Sequence, residues 1–386
     1  MSDSREFVFD VEILMEEARA ETGLNQFGDD RFRRGLEVLC ETLDTTAGLS
    51  ESGRKKNWKR LVRLLSTRLR VEAAFLRHPE IHEREINKPV FLTGLPRSGT
   101  SATFNLLGKD PAARPLLLWE GTFPDPLEGL PVGAADPRHE AMRATFAQMR
   151  EQKSDFAKIH FADADTPEEC VIPMAITFEN VHQGFEVLLE PYGAYFYGLD
   201  MRAQYADYRE ILKMLDFQRP GERWLLKSPA HLLGLDSLLS VFPDSCIVLN
   251  HRDPIEAVAS YCSMMETYSL SQGCSRQPQL GQAVLNFCAT ALERGLAVRD
   301  SEGAGRFFDV RFDDFVEAPM ETVLQIYDYF NLPMTTEAEN VMSDYIRDHP
   351  RGQHGSHEYD LESYGLTVDE VRSRLGWYID RFELDA

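Results

Sequence analysis

"FLTGLPRSGTSATFNLL", residues 91–107, is the stretch from which the rest of the chain can be read. A short apolar run meets Gly94, then proline, arginine, serine, a second glycine and two hydroxyls, and then a helix-forming segment. A cation and several hydrogen-bond donors at a strand-to-helix turn point to an anion, most often a phosphate. Gly94 suits a tight turn, and Gly99 lets the helix start approach a ligand closely. Backbone N–H groups from Arg97 through Ser98, Gly99 and Thr100 to Ser101 are then the expected cradle. The helix dipole and the Thr100 and Ser101 hydroxyls add to it.

The loop is similar to a Walker A sequence, G-x4-G-K-[ST], with one displacement. Thr100 stands where the lysine belongs, and the cation has moved to Arg97. A phosphotransferase using ATP and magnesium relies on that lysine to reach the β and γ phosphates, so this reading is weakened, though it stays an alternative.

Outward from the loop, "PVFLTG", "RWLLKSP", "SCIVLNHRDP" and "RFFDVRF" are short apolar runs, each followed by a helical segment. Such alternation predicts an α/β fold with a P-loop-like, mainly parallel sheet flanked by helices. Ligands of such sheets bind outside the carboxyl ends of the strands, where these polar clusters fall. Residues 8–85 carry helical periodicity and no strand signal, as in "RFRRGLEVLCETLD" and "NWKRLVRLLSTRLRVEAAFLRH". The expected organisation is a helical extension over 1–87, packed on an α/β domain over 88–386. The basic run "GRKKNWKR", residues 53–60, reads as a solvated helix start. Thr166, Pro167 and Glu169 of "TPEE" read as a capped helix start, as do Asp253, Pro254 and Glu256, and Thr367 with Glu370.

The net charge of −22 disfavours nucleic acid as a partner and makes each local cluster of arginine or lysine more informative. No uncharged apolar run reaches the roughly 18 residues that would suggest a spanning helix. The acidic N-terminus lacks the apolar core of a secretory signal. Six scattered cysteines without a CxxC pair read as buried thiols in a reducing compartment, the cytoplasm.

A second strand-to-helix junction, "IVLNHRDPIEAVASYCSM", residues 247–264, places Arg252 at its mouth and Ser260 eight residues on. His-Arg-Asp also occurs in kinase catalytic loops, but Val258 stands where such a loop needs asparagine. Taken together, "LPRSGTS" and "RDPIEAVAS" resemble the two nucleotide motifs of sulfotransferases that use 3′-phosphoadenosine 5′-phosphosulfate (PAPS). The "PRSGT", "LKSP" and "HRDP" signatures resemble the bacterial subgroup, and the likeness runs from about residue 88 to the C-terminus. It extends to "WLLKSPAHLLGLDSLLSVFPDSCIVLNHRDP", residues 224–254, and to "RFDDF", residues 311–315.

The resemblance implies PAPS as donor, adenosine 3′,5′-bisphosphate as product and no metal. It places the 5′-phosphosulfate on Arg97 to Ser101, and the 3′-phosphate on Arg252, Ser260 and, near the C-terminus, Arg351, with His354 a further candidate. Basic residues common in that closing segment are replaced here by Gln353, Ser356 and Glu358. Ala102 replaces a tryptophan that stacks on adenine in cytosolic relatives, so the residue that grips the base stays unnamed. Arg97 and Lys227 would stabilise the leaving phosphate. Two groups compete as general base: Glu120, closing "PLLLWE", is preferred, and His231 of "KSPAH" is the alternative.

The acceptor implied is a small alcohol, phenol or glycolipid. The aromatic stretch "FENVHQGFEVLLEPYGAYFYGLD", residues 178–200, is either its pocket or ordinary core. A nucleotide-binding module without catalysis is the remaining alternative. The N-terminal helices are open to three uses: covering the pocket, joining a homo-oligomer or extending the core.

Overall fold

The computed structural model describes residues 7–131, 133–151, 163–181, 185–303, 305–349 and 360–384. Five strands form one parallel sheet: β1 Val90–Gly94, β2 Ala113–Pro115, β3 Arg223–Lys227, β4 Cys246–His251 and β5 Phe307–Arg311. Their spatial order is β2-β3-β1-β4-β5. β1 pairs with β3 on one side and β4 on the other, setting Leu92 opposite Lys227 and Gly94 opposite Asn250. The loops that leave these three strands therefore share one edge of the sheet. Four of the strands are the runs anticipated from sequence. β2 is three residues long, too short to show alternation.

Side chains alternate across the sheet and divide the interior in two. Val90, Leu92, Leu225, Val248 and Val310 enter a smaller core, closed by Phe104 and Leu106 of the helix Thr100–Leu107 and by Val323 and Ile326 of Pro319–Tyr329. Phe91, Leu226, Ile247 and Leu249 face a larger core. Leu36, Leu39, Leu61 and Leu65, from the helices Phe32–Thr45 and Glu51–Arg77, belong to that same core. All six cysteines are buried free thiols. Among the described residues, no helix is long and apolar enough to cross a membrane.

Two local expectations need correction. The run at 53–60 does lie at the start of a helix, capped by the Ser50 hydroxyl, yet part of it turns inward. Asn57 donates to the Gly53 and Gln272 carbonyls, and Arg60 lies 2.7 Å from the equally buried Glu186. The "TPEE" segment starts no helix: Pro167 bridges Leu117 in antiparallel fashion, and the Glu168 N–H donates to the Leu116 carbonyl. Thr166 accepts from the Asp163 N–H instead of capping. Glu169 is thereby left for a distant partner. The other two starts form as expected: Asp253 accepts from Ile255, and Thr367 with Glu370 makes a reciprocal box. Glu256 instead pairs with Arg252.

Glu120 is held by two arginines. Arg114 donates to both of its oxygens at 2.9 and 3.1 Å, and Arg219 does so at 2.6 and 2.9 Å. Burial alone would raise its pKa, but Arg219 and Arg114 outweigh that and hold the carboxyl below its usual range. Arg114 also donates to the Arg219 and Leu215 carbonyls and lies 3.8 Å over the Trp224 ring. This clamp joins β2 and β3 to the end of the helix Arg202–Gln218.

Removing one charge from this clamp leaves a buried guanidinium short of its partner. Glu120→Gln is expected to lower stability by about 3 kcal/mol, read as a reduced urea midpoint. Because the carboxyl's folded pKa is depressed, its contribution is full above its ordinary value of 4.5 and fades as pH falls through the lower folded value. The acid limb of the stability profile should therefore flatten in the variant. At the layer contact, a Cβ on Gly35 would lie 2.2 Å from the Phe178 carbonyl oxygen, whereas one on Gly376 meets nothing within 4 Å. Gly35→Ala should cost about 1–3 kcal/mol, and Gly376→Ala should gain about 0.5–1 kcal/mol, in the same titration.

Candidate active site

β1 ends at Gly94 with φ 151°, where an added Cβ would lie 2.4 Å from the Asn250 carbonyl oxygen. The chain then turns through Arg97, a long side chain at φ 69°, and enters its helix from Gly99 at φ 88°. A left-handed conformation at a residue other than glycine costs free energy and clusters at ligand loops. Gly99 has no side chain with which to cap, so it leaves the first-turn N–H groups of Thr100 and Ser101 to a ligand or to solvent. Ser98 is fully buried, and its hydroxyl has no hydrogen-bond partner among the described residues. Each of these features suits a small anion at the loop.

The second junction meets the first directly. Arg97 Nε donates to Ser260 Oγ at 2.9 Å, and Arg252 donates to the Arg97 carbonyl at 3.1 Å. The two basic elements thus form one continuous cluster. Arg252 also pairs with Glu256 and lies 4.3 Å over the ring of Phe312, the residue that opens the helix after β5. Behind Arg252, buried His251 is fixed on both ring nitrogens. Nε2–H donates to Asp309 at 2.9 Å, and Nδ1 accepts from the Tyr378 hydroxyl at 3.0 Å. The Tyr378 bond ties the C-terminal helix Val368–Phe382 to this corner. Burial pushes the His251 pKa down in spite of Asp309, so its imidazole is neutral.

Lys227 closes β3 with only 5% of its surface exposed. Its ammonium donates to Glu169 Oε1 at 2.8 Å and to Ser101 Oγ at 3.3 Å. Burial works against that charge, but Glu169 and Glu168 outweigh it and raise the lysine pKa. The Cys170 N–H donates to the Lys227 carbonyl, and Ser228 Oγ lies 3.4 Å from Glu169 Oε2, so the acidic segment is stitched along the strand end. Glu169 is partly exposed, a carboxylate at the mouth of the sheet beside the loop helix. Sequence reading assigned it to a helix cap and so missed it. The signal available was its place beside Glu168, in an acidic pair of which a cap needs only one member.

The two candidates for general base stand elsewhere in chemical terms. Both oxygens of Glu120 are engaged by Arg114 and Arg219, and the residue is 2% exposed, which makes it a weak and inaccessible proton acceptor. His231 is 1% exposed, its Nδ1 lies 2.9 Å from the Tyr205 hydroxyl, and burial drops its pKa to about 3. A proton placed there would make an uncompensated buried cation. Arg351, with Gln353, His354, Ser356 and Glu358, lies outside the described residues. In the aromatic stretch, Phe178, Phe185, Tyr192 and Phe196 belong to the larger core.

The chain matches the family model described as Sulfotransferase family over residues 89–336. Its fold is similar to that of sulfotransferase STF9 from Mycobacterium avium, with a TM-score of 0.90 and 27% identity, over 100% of this chain and 99% of that one. It is also similar to sulfotransferase STF1 from Mycobacterium tuberculosis, with a TM-score of 0.84 and 30% identity, over 97% and 100%. A 167-residue stretch is 25% identical to the omega-hydroxy-beta-dihydromenaquinone-9 sulfotransferase Stf3 of Mycobacterium bovis. That stretch covers 42% of this chain and 41% of that relative. With the family's matched segment taking in the loop after β1, the Lys227–Glu169 pair and the Arg252 junction, this chain belongs to the sulfotransferase family.

Proposed function

We propose that the chain transfers a sulfuryl group from PAPS to a hydroxyl of a small, lipophilic acceptor. One observation carries this reading: a buried lysine lies between a helix-start serine and a carboxylate, beside a continuous arginine–serine cluster at the same sheet edge. The residues suit the donor. Its 5′ end would rest on the N–H groups of Thr100 and Ser101, on the otherwise unpartnered Ser98 hydroxyl and on Arg97. Its 3′-phosphate would be held by Arg252 and Ser260, with Arg351 as a further contact. When bound, PAPS supplies a sulfuryl group whose bond to the bridging phosphate oxygen breaks as the acceptor oxygen bonds to sulfur, the electron pair staying on the phosphate.

Lys227 and Arg97 stabilise the charge that grows on the phosphate side, and the burial of Lys227 strengthens its effect. Glu169, and not Glu120, takes the acceptor proton, because it has an accessible oxygen at the strand mouth. Its contact with Lys227 sets base and cation side by side at the same strand end. The relative Stf3 is named for sulfating a hydroxyl-bearing menaquinone, which agrees with a lipophilic alcohol as the class of acceptor here.

Calorimetry should find binding of adenosine 3′,5′-bisphosphate without magnesium, and markedly weaker binding of ATP with Mg²⁺. The reverse order would favour a phosphotransferase. With labelled PAPS and a panel of alcohols and phenols, Glu169→Gln should lower turnover by about 10²–10⁴-fold while bisphosphate affinity persists. Near-native turnover in that variant would return the role of base to Glu120, and a wild-type protein that binds the bisphosphate but sulfates nothing would favour a module without catalysis.

A further inference from the structure

A small cavity lies against the two segments that carry the reactive pair. Its walls include Val171, two residues past Glu169, and Ala230 and His231, three and four past Lys227. Chain geometry therefore keeps the Cα of Val171 within about 7 Å of that of Glu169, and the Cα of Ala230 within about 11 Å of that of Lys227. The walls are mostly apolar, with Met174, Phe196 and Met201 among them, and the room is about 10 Å³, enough for one water-sized group.

Polar atoms in this apolar setting lack hydrogen-bond partners among the described residues. His231 Nε2 and Gln204 Oε1 are buried without a hydrogen bond among the described residues, and their residues are 1% and 3% exposed. Asn180 Oδ1, on a third wall residue, is in the same state, while its Nδ2 donates to the Val171 carbonyl. Leaving such an atom unsatisfied forfeits its hydration with nothing in return, so three beside one cavity need an explanation.

Their chemistry defines what fits. The buried Tyr205 hydroxyl has His231 Nδ1 at 2.9 Å, and the assignment in which it donates there places the neutral ring's proton on Nε2. The cavity then presents one donor, His231 Nε2–H, and two acceptors, Gln204 Oε1 and Asn180 Oδ1. A ketone or ether can satisfy only the donor. A carboxylate meets two lone-pair oxygens and no cation. A hydroxyl accepts from the histidine and donates to an amide oxygen, as does a neutral amine.

We propose that this cavity is a polar subsite for the acceptor, and that it binds a second hydroxyl or amine of that molecule, separate from the hydroxyl that is sulfated. This rests on the sulfuryl-transfer reading above and narrows it: the acceptor is a lipophilic molecule with two hydrogen-bonding ends a short span apart. His231 then acts in recognition, through a neutral ring held by Tyr205.

The test uses binding, so that it does not depend on turnover. The full-length protein is first saturated with adenosine 3′,5′-bisphosphate, and its affinity for that nucleotide recorded. Dissociation constants are then measured for a C10 primary alcohol, for the C10 diols with the second hydroxyl about four to six carbons away, and for the matching keto alcohols. The diol is expected to bind about tenfold more tightly than the mono-alcohol and the keto alcohol. Gln204→Leu, similar in volume but without the amide oxygen, should bring that ratio close to one, whereas Gln204→Glu should restore part of it. A wild-type ratio near one, a ratio unchanged in Gln204→Leu, or binding of none of these acceptors would overturn the proposal and leave the cavity as the seat of a fixed water. Failure of the protein to bind the bisphosphate at all would overturn the sulfuryl-transfer reading, and the subsite with it.

Discussion

An ammonium group at 5% exposure keeps its charge only if its surroundings return what water would have given. At the end of β3 that return comes from Glu169, and the local structure follows from the pairing. The acidic segment must run extended along the strand end, which a helix starting at Pro167 would prevent. Pro167 therefore bridges Leu117, and Cys170 donates to the carbonyl of Lys227 itself. Strand order does the rest. With β1 between β3 and β4, the lysine, the glycine loop and Arg252 emerge side by side, and Ser101 of the loop helix comes within reach of the same ammonium.

A site built this way has two kinds of arginine. Arg97 and Arg252 contact backbone and hydroxyl groups at an accessible edge, where an anion can compete for them. Arg114 is buried with two carboxylate oxygens and an indole, and its work is structural. The same distinction separates the two glutamates. Glu169 shares one lysine and meets solvent, while Glu120 is gripped by two guanidiniums and tightens an edge strand.

How much of this was legible in the sequence depended on how local the signal was. The loops after β1 and β4 announce themselves within a dozen residues, because glycine, arginine and hydroxyls at a strand end have few other uses. The helix starts at Asp253 and Thr367 were legible for the same reason. "TPEE" carries the same local grammar, yet a bridge to Leu117 and a lysine 58 residues away overrode it. The clamp on Glu120 left no local trace, because one of its partners, Arg219, lies 99 residues on, and no short pattern encodes that. The cavity beside His231 was invisible in sequence, since it is defined by buried atoms that lack hydrogen-bond partners among the described residues.

Phe312 touches two parts of the site at once. Its ring occupies the volume where a side chain at Gly99 would project, with an added Cβ only 2.4 Å from Cδ2, and it also supports the Arg252 guanidinium. A larger residue at 99 would demand a smaller one at 312, and that exchange would withdraw the platform under Arg252. Drift at any of these three positions is therefore constrained by the other two, so descendants of this sequence can alter the corner only by compensated, simultaneous change.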